Sequence, residues 1–150
     1  MPVALTDLLD ERQVALGLRA TEKSAALREI SQLLSAHGKI DDVAGFLQEL
    51  NIREQARPSI VENGVVFPHL RTDLVDEIVI GIARSKPGVP FGNGETANLI
   101  FLIGVPQRFA SEYLIVVGAL ARLLREESIR QELLRAKSPA QFVQVLQKAA

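Results

Sequence analysis

The sequence predicts a single α/β domain, residues 1–150, built as a three-layer-like sandwich with a mixed central sheet flanked by helices. Three observations carry that prediction. Apolar residues recur at helical spacing between Thr21 and Leu50. Short apolar runs bounded by turn residues follow between Val65 and Val105, and helical spacing returns from Ser111 to Leu146. Helices, then strands, then helices in one short chain pack as helices on a sheet. A chain of 150 residues is long enough for one substantial core.

Each element has its own justification. Gln13 to Leu18 reads as a short edge strand after a brief segment from Leu5 to Asp10. Thr21 is placed to cap a helix that carries Leu27, Ile30, Leu33 and Leu34 on one face, and Gly38 to end it. Asp41 or Asp42 caps a second helix with Val43, Phe46, Leu47 and Leu50 inward. Residues 53–63 read as a loop with Pro58, Ser59, Asn63 and Gly64 as its turn residues. Three strands follow, at Val65–Pro68, Glu77–Ala83 and Asn98–Val105. The last is apolar almost throughout, as expected of a central strand covered on both faces. Lys86 to Gly94, between the second and third strands, is rich in turn formers. Ser111 is placed to cap a helix with Leu114, Val117, Leu120, Ala121 and Leu124 inward. A further helix carries Ile129, Leu133 and Leu134. Ser138-Pro139-Ala140-Gln141 starts the last one, which buries Phe142, Val145 and Leu146.

Composition excludes several classes. A formal net charge of −1 gives no overall field to attract nucleic acid or an anionic membrane. The absence of cysteine removes disulfides, thiolate metal sites and cysteine nucleophiles. No apolar run reaches the ~18 residues of a membrane span, and Met1-Pro2-Val3-Ala4-Leu5-Thr6-Asp7 lacks the features of a signal peptide. The expectation is a soluble, cytoplasmic protein. Asp41-Asp42 and Asp73 to Glu77 have no histidine at metal-ligand spacing, so no metal site is expected. Gly88, Gly92 and Gly94 are not followed by the Lys-Ser/Thr of a phosphate-binding loop. The arginines from Arg122 to Arg135 alternate with glutamates and read as a helix surface. His37 beside Gly38 reads as a polar group at a helix end.

His69 is the residue with chemistry to offer. It follows the apolar run Val65-Val66-Phe67-Pro68, where the proline should stop the strand and leave the histidine on rigid backbone facing a pocket or solvent. A neutral imidazole is a nucleophile that picks up and releases phosphoryl groups near neutral pH, its ordinary pKa being about 6.5. By position alone, His69 reads equally well as a structural histidine at a strand end. Arg53 reads as a solvated charge after a helix, Ser59 as a turn residue and Tyr113 as a half-buried helix residue.

Taken together, Arg53-Glu54, Ser59, Asn63-Gly64-Val65-Val66-Phe67-Pro68-His69, Lys23, Phe91, Asn98 to Leu102, Pro106 and Leu120-Ala121-Arg122-Leu123-Leu124 form an ordered set spread over the whole chain. With that set, the chain resembles the enzyme IIA domains of the bacterial phosphotransferase system, in the fructose, mannitol and nitrogen-regulatory class. The resemblance implies that His69 is phosphorylated by an HPr-like phosphocarrier. It implies as partner an enzyme IIB or a regulatory target, and no metal or organic cofactor. Arg53 would offer a forked donor to the phosphoryl oxygens. Ser59 and the backbone N–H groups of Asn63 and Gly64 would complete the cradle. The chain departs from the family at four positions. Tyr113 stands where a second active-site histidine is usual, Leu70 where a glycine follows the active histidine, and Ile60 and Glu62 at loop glycines. A tyrosine donates one O–H but no positive charge, so weaker transition-state stabilisation is expected. The bulkier residues would narrow the approach to the phosphoryl group, and Glu62 would bring negative charge near it. A phosphotransfer-impaired domain of the same type, which acts by docking to a transporter or kinase, is the alternative. A lean toward the nitrogen-regulatory type rests on the absence of any fused IIB or membrane segment in the chain. The oligomeric state is left open.

Overall fold

A computed structural model describes residues 4–150; Met1 to Val3 of the N-terminus read above lie outside them. In chain order the elements are α1 (Leu5–Leu8), a 3-10 turn (Glu11–Gln13), β1 (Val14–Ala15), α2 (Lys23–Ala36), α3 (Val43–Ala56), β2 (Val65–Val66), β3 (His69–Arg71), β4 (Val79–Gly92), β5 (Glu95–Val105), a second 3-10 turn (Gln107–Phe109), α4 (Ala110–Arg125), α5 (Glu127–Arg135) and α6 (Pro139–Ala149).

The strands form one mixed sheet in the order β1-β4-β5-β2, with β3 also pairing β5. The long β4 and β5 are antiparallel, while β1, β2 and β3 run parallel to their neighbours. Strand alternation sorts the core into two layers. Ile80, Ile82, Leu99, Phe101 and Ile103 pack toward Val116, Leu120, Leu133, Phe142 and Leu146 of α4, α5 and α6. Val79, Ala83, Ile100 and Leu102 pack toward Leu27, Ile30, Leu34, Phe46 and Leu50 of α2 and α3. The predicted three-layer arrangement and the buried central strand are both present.

Helix ends divide by side-chain chemistry. Asp42 accepts from Gly45 N–H at 2.9 Å, and Ser138 accepts from Gln141 N–H at 3.1 Å with Pro139 at the first helical position. Gly38 ends α2 at φ 72°, a conformation that costs other residues more. Two expected caps fail. Glu22, not Thr21, stands at the cap of α2, and it makes no side-chain cap bond. α4 begins at Ala110, before Ser111, because the 3-10 turn runs directly into it and Phe109 N–H is already bonded to Pro106 O at 2.9 Å.

Other differences follow from tertiary pairing. The turn-rich Lys86–Gly94 segment is mostly strand, since β4 continues to Gly92 against β5. Pro87 and Gly88 fall in a register irregularity between Arg84 and Val89, where an interrupted ladder tolerates them. The chain reverses at Asn93 and Gly94, both at positive φ. α3 extends to Ala56, so Arg53 and Glu54 belong to a helix rather than a loop. On α4 the stripe toward the sheet is Val116, Leu120 and Leu124, at four-residue spacing. Leu114, expected inside, is exposed, and so is Leu134 of α5. β2 ends at Val66, short of the expected Pro68, and His69 opens β3 instead of trailing a strand, with Ile103 as its β5 partner.

Candidate functional site

The site forms at the edge of the sheet, where both helical layers reach β3. His69 is half-buried there. Tyr113, in the first turn of α4, lies with its ring centroid 5.0 Å from that of His69. Arg53, in the last turn of α3, approaches the other side of the imidazole, with Nη2 3.0 Å from His69 Nε2.

The hydrogen bonds determine the tautomer. His69 Nδ1 lies 3.2 Å from the Phe67 carbonyl oxygen, which can only accept, so Nδ1 carries the proton. Nε2 is then bare, and Arg53 Nη2 donates to its lone pair. Burial first, and the Arg53 guanidinium second, hold the His69 pKa below its ordinary 6.5. The ring is therefore neutral and nucleophilic at neutral pH.

Arg53 is itself held in place. Its Nη1 donates to Glu54 Oε2 at 2.9 Å, to the Arg57 carbonyl at 2.9 Å and, weakly, to Ser59 Oγ at 3.4 Å. Glu54 is only 4% exposed and accepts from every side. Lys23 Nζ is 2.8 Å from Oε1, Ser59 N–H donates to Oε1 at 3.0 Å, and the Ser59 hydroxyl donates to Oε2. Burial pushes the Glu54 carboxyl up, but the bonds from Lys23 and Ser59 outweigh it and leave the pKa below 4.5. Burial raises the Tyr113 pKa above 10.0, against the pull of Arg53 and Arg71, so the phenol stays protonated and able to donate.

The structure brings together His69, Arg53, Ser59 and Tyr113. It does not bring Asn63 and Gly64 to them. These two form the tip of a tight turn in which Glu62 and Val65 exchange backbone hydrogen bonds at 2.9 Å. Their φ values of 54° and 75° suit asparagine and glycine. β2 pairs Val65 with Leu99, whereas His69 pairs with Ile103. Four residues of strand, about 13 Å, separate the two places. The expected cradle of Asn63 and Gly64 N–H groups is corrected accordingly. Glu62 belongs to the same turn, so it puts no charge beside His69. Leu70 is 5% exposed and packs toward α2 and α3, because successive strand residues face opposite ways. It does not narrow the approach to Nε2. Ile60, at the other former glycine position, is 78% exposed.

Sequence reasoning used Glu54 and Lys23 only as marks of resemblance and missed what they do. A signal was present. Glu54 follows Phe46 and Leu50 at four-residue spacing, an acidic residue on the buried stripe of α3. Lys23 opens α2, the end of a helix that disfavours a cation. Each placement calls for a partner, and each residue is the other's. Among the described residues, no group of three or more His, Asp or Glu side chains is placed to hold a metal ion. No described helix is long and apolar enough to cross a membrane.

A half-buried, neutral, strand-held imidazole beside an anchored guanidinium is able to accept an anionic group on nitrogen. Comparison with known proteins agrees with that class. The model of the family described as "Phosphoenolpyruvate-dependent sugar phosphotransferase system, EIIA 2" matches residues 7–149, and the chain belongs to this family. It is 32% identical over 126 residues to the fructose-specific EIIA component of Haloferax volcanii, covering 83% of this chain and 82% of that protein. It is 28% identical over 144 residues to the fructose-specific EIIABC component of Bacillus subtilis, covering 95% of this chain but 23% of that protein. The chain thus spans less than a quarter of that longer relative. The crystal structure of nitrogen regulatory protein IIA-Ntr from Neisseria meningitidis superposes with a TM-score of 0.85 at 25% identity, covering 95% of this chain and 98% of that one. Membership in the EIIA 2 family places this chain among the components of the phosphoenolpyruvate-dependent sugar phosphotransferase system.

Proposed function

We propose that His69 Nε2 is the atom that carries the phosphoryl group. The observation that supports this reading best is the pair of contacts on the imidazole. The Phe67 carbonyl holds the proton on Nδ1, and Arg53 lies 3.0 Å from the bare Nε2. In the transfer, the Nε2 lone pair forms a bond to phosphorus as the N–P bond of a donor phosphohistidine breaks. Its electron pair returns to the donor's ring nitrogen. The positive charge that grows on the His69 ring strengthens the Nδ1–H bond to Phe67 O. Arg53 Nη2 swings from Nε2 to a phosphoryl oxygen while Nη1 stays anchored, so it serves both states. On this reading Tyr113, whose ring centroid lies 5.0 Å from that of His69, donates its O–H to a second oxygen, and Ser59 helps hold the Arg53–Glu54 pair. Transfer needs positioning and charge rather than a metal or organic cofactor.

The donor on this reading is an HPr-like phosphocarrier, and the acceptor an enzyme IIB or a regulatory target. Relatives named for fructose-specific components and for nitrogen regulation leave both kinds of acceptor in view. The nitrogen-regulatory type is the one preferred, supported by the superposition on nitrogen regulatory protein IIA-Ntr over 98% of that chain. The test is incubation with phosphoenolpyruvate, enzyme I and an HPr-type protein, cognate or paralogous. Intact mass is then read under alkaline conditions. One phosphate on the wild type and none on His69→Ala is the expected result; no phosphate from any donor would remove the reading.

One observation favours a second reading, a phosphotransfer-impaired domain that acts by docking. Tyr113 occupies the place beside His69 that a second histidine would fill, and it supplies no positive charge. On that reading His69→Ala binds the partner as tightly as the wild type.

A further inference from the structure

We propose that Lys23 is a positioning residue for phosphoryl transfer: by neutralising Glu54, it lets that carboxylate anchor Arg53 without cancelling the positive charge that faces His69. The inference rests on His69 being the phosphoryl carrier.

The argument begins with charge. Glu54 touches two cations, Lys23 at 2.8 Å and Arg53 at 2.9 Å. With both present the trio carries one net positive charge; with Arg53 alone it would carry none. Arg53 is the guanidinium that contacts Nε2. A side-chain oxygen acceptor at position 54 is needed to fix its Nη1, since the other firm anchor is a single carbonyl, that of Arg57. Yet an unshared carboxylate beside it would offset the charge needed on the phosphoryl oxygens. Lys23 resolves that conflict from the far side of Glu54.

Lys23 is built into its place. Its side chain is 25% exposed, and Nζ lies 5.4 Å from the centroid of the buried Phe91 ring. It is the first residue of α2, where the helix dipole opposes a cation, so the ion pair with Glu54 has to offset that cost. The other charged and titratable groups around the site are few. Arg57 follows α3 and its charge acts on His69, the charge of Arg71 on β3 acts on Tyr113, and Tyr113 itself comes from α4. Lys23 and Glu54 are the members of the set whose charge reaches His69 through Arg53.

The experiment uses phosphoramidate, a small phosphoryl donor that needs no docking partner. Its N–P bond breaks as the Nε2–P bond forms, and ammonia leaves with the electron pair. Rates of His69 phosphorylation are measured by alkaline intact mass for the wild type, Lys23→Met, Lys23→Arg and the double variant Lys23→Met/Glu54→Gln. NMR titration of the His69 ring is recorded in parallel. Lys23→Met is expected to slow phosphorylation about fivefold, the scale of one screened charge at this remove, and to raise the His69 pKa. Lys23→Arg should match the wild type. The double variant regains one net positive charge and should recover much of the lost rate. A merely structural ion pair predicts the reverse, with the double variant no faster than Lys23→Met. Should Lys23→Met not fold, Lys23→Gln gives the same comparison. Normal phosphorylation of Lys23→Met, or no recovery in the double variant, overturns the inference and leaves the carrier reading intact. No phosphate at His69 of the wild type overturns both.

Discussion

At the scale of single residues, the site depends on which proton sits where. Phe67 O holds the Nδ1 proton of His69, burial and Arg53 keep the ring neutral, and Tyr113 stays a phenol. This sets what a substitution at Tyr113 should do. A histidine there would offer the phosphoryl oxygens a cation when protonated. Tyr113→His should therefore accept phosphate faster than the wild type, by about tenfold, and the gain should be larger at pH 6 than at pH 8. Burial and Arg53 depress the His69 pKa, so more of its ring stays neutral at pH 6 than in an ordinary imidazole. Initial rates with a fixed donor at the two pH values check this; equal gains at both would show that the new histidine acts by shape rather than charge. His69 and Arg53 could be picked out in the sequence because proline-histidine and an arginine-glutamate pair are local patterns. The misplaced cradle of Asn63 and Gly64 shows the limit. Five residues of extended chain keep neighbours in sequence apart in space, a distance visible only once the β2–β5 register is known.

At the scale of elements, α2 and α3 must lie close on the sheet for Lys23 and Arg53 to meet at Glu54. Two glycines permit that approach. A Cβ added at Gly81 would meet Ile30 Cγ2 at 2.6 Å and Leu34 Cδ1 at 3.0 Å, both on α2. One added at Gly104 would meet Phe46 of α3 at 3.2 Å. Ile30 and Leu34 are fully buried and have no room to withdraw. Gly81→Ala should accordingly destabilise the protein by about 1–3 kcal/mol, as overpacked cores do, measured by urea unfolding. An unchanged midpoint would show that α2 is more loosely seated than described. In the sequence, Gly81 and Gly104 look like weak points in two apolar runs, and nothing local says that a helix lies over them. The same reason explains Leu114. Its spacing fits an inward face, but the face that joins the core is set by tertiary packing, which selects Val116, Leu120 and Leu124.

At the scale of the whole molecule, the half-buried His69 and the buried Glu54 link stability to pH in the same direction. The folded pKa of His69 is depressed, so the unfolded chain binds a proton that the fold resists. That contribution is present above about pH 6.5 and is lost as pH falls toward the folded value. The folded pKa of Glu54 is depressed below 4.5, so its contribution is present above that value and is lost as pH falls through the folded value. The expected profile of thermal midpoint against pH therefore declines in two stages between pH 8 and pH 3. His69→Ala should remove the upper stage and keep the lower one. A single late decline in the wild type would mean that His69 is not held neutral.

The amino-acid pattern was sufficient for the order of helices and strands apart from β3, the buried central strand, the caps at Asp42 and Ser138, and the family resemblance that singles out His69. These depend on neighbours within a few residues or on motifs kept in sequence order. The tertiary structure was needed for the length of β4, for the end of α3 as helix rather than loop, and for the ion pair that joins Lys23 to Glu54. It was needed, too, to turn Leu70 away from the site. Strand pairing and helix packing act between residues far apart in the chain, and their energy depends on a geometry that no local spacing encodes.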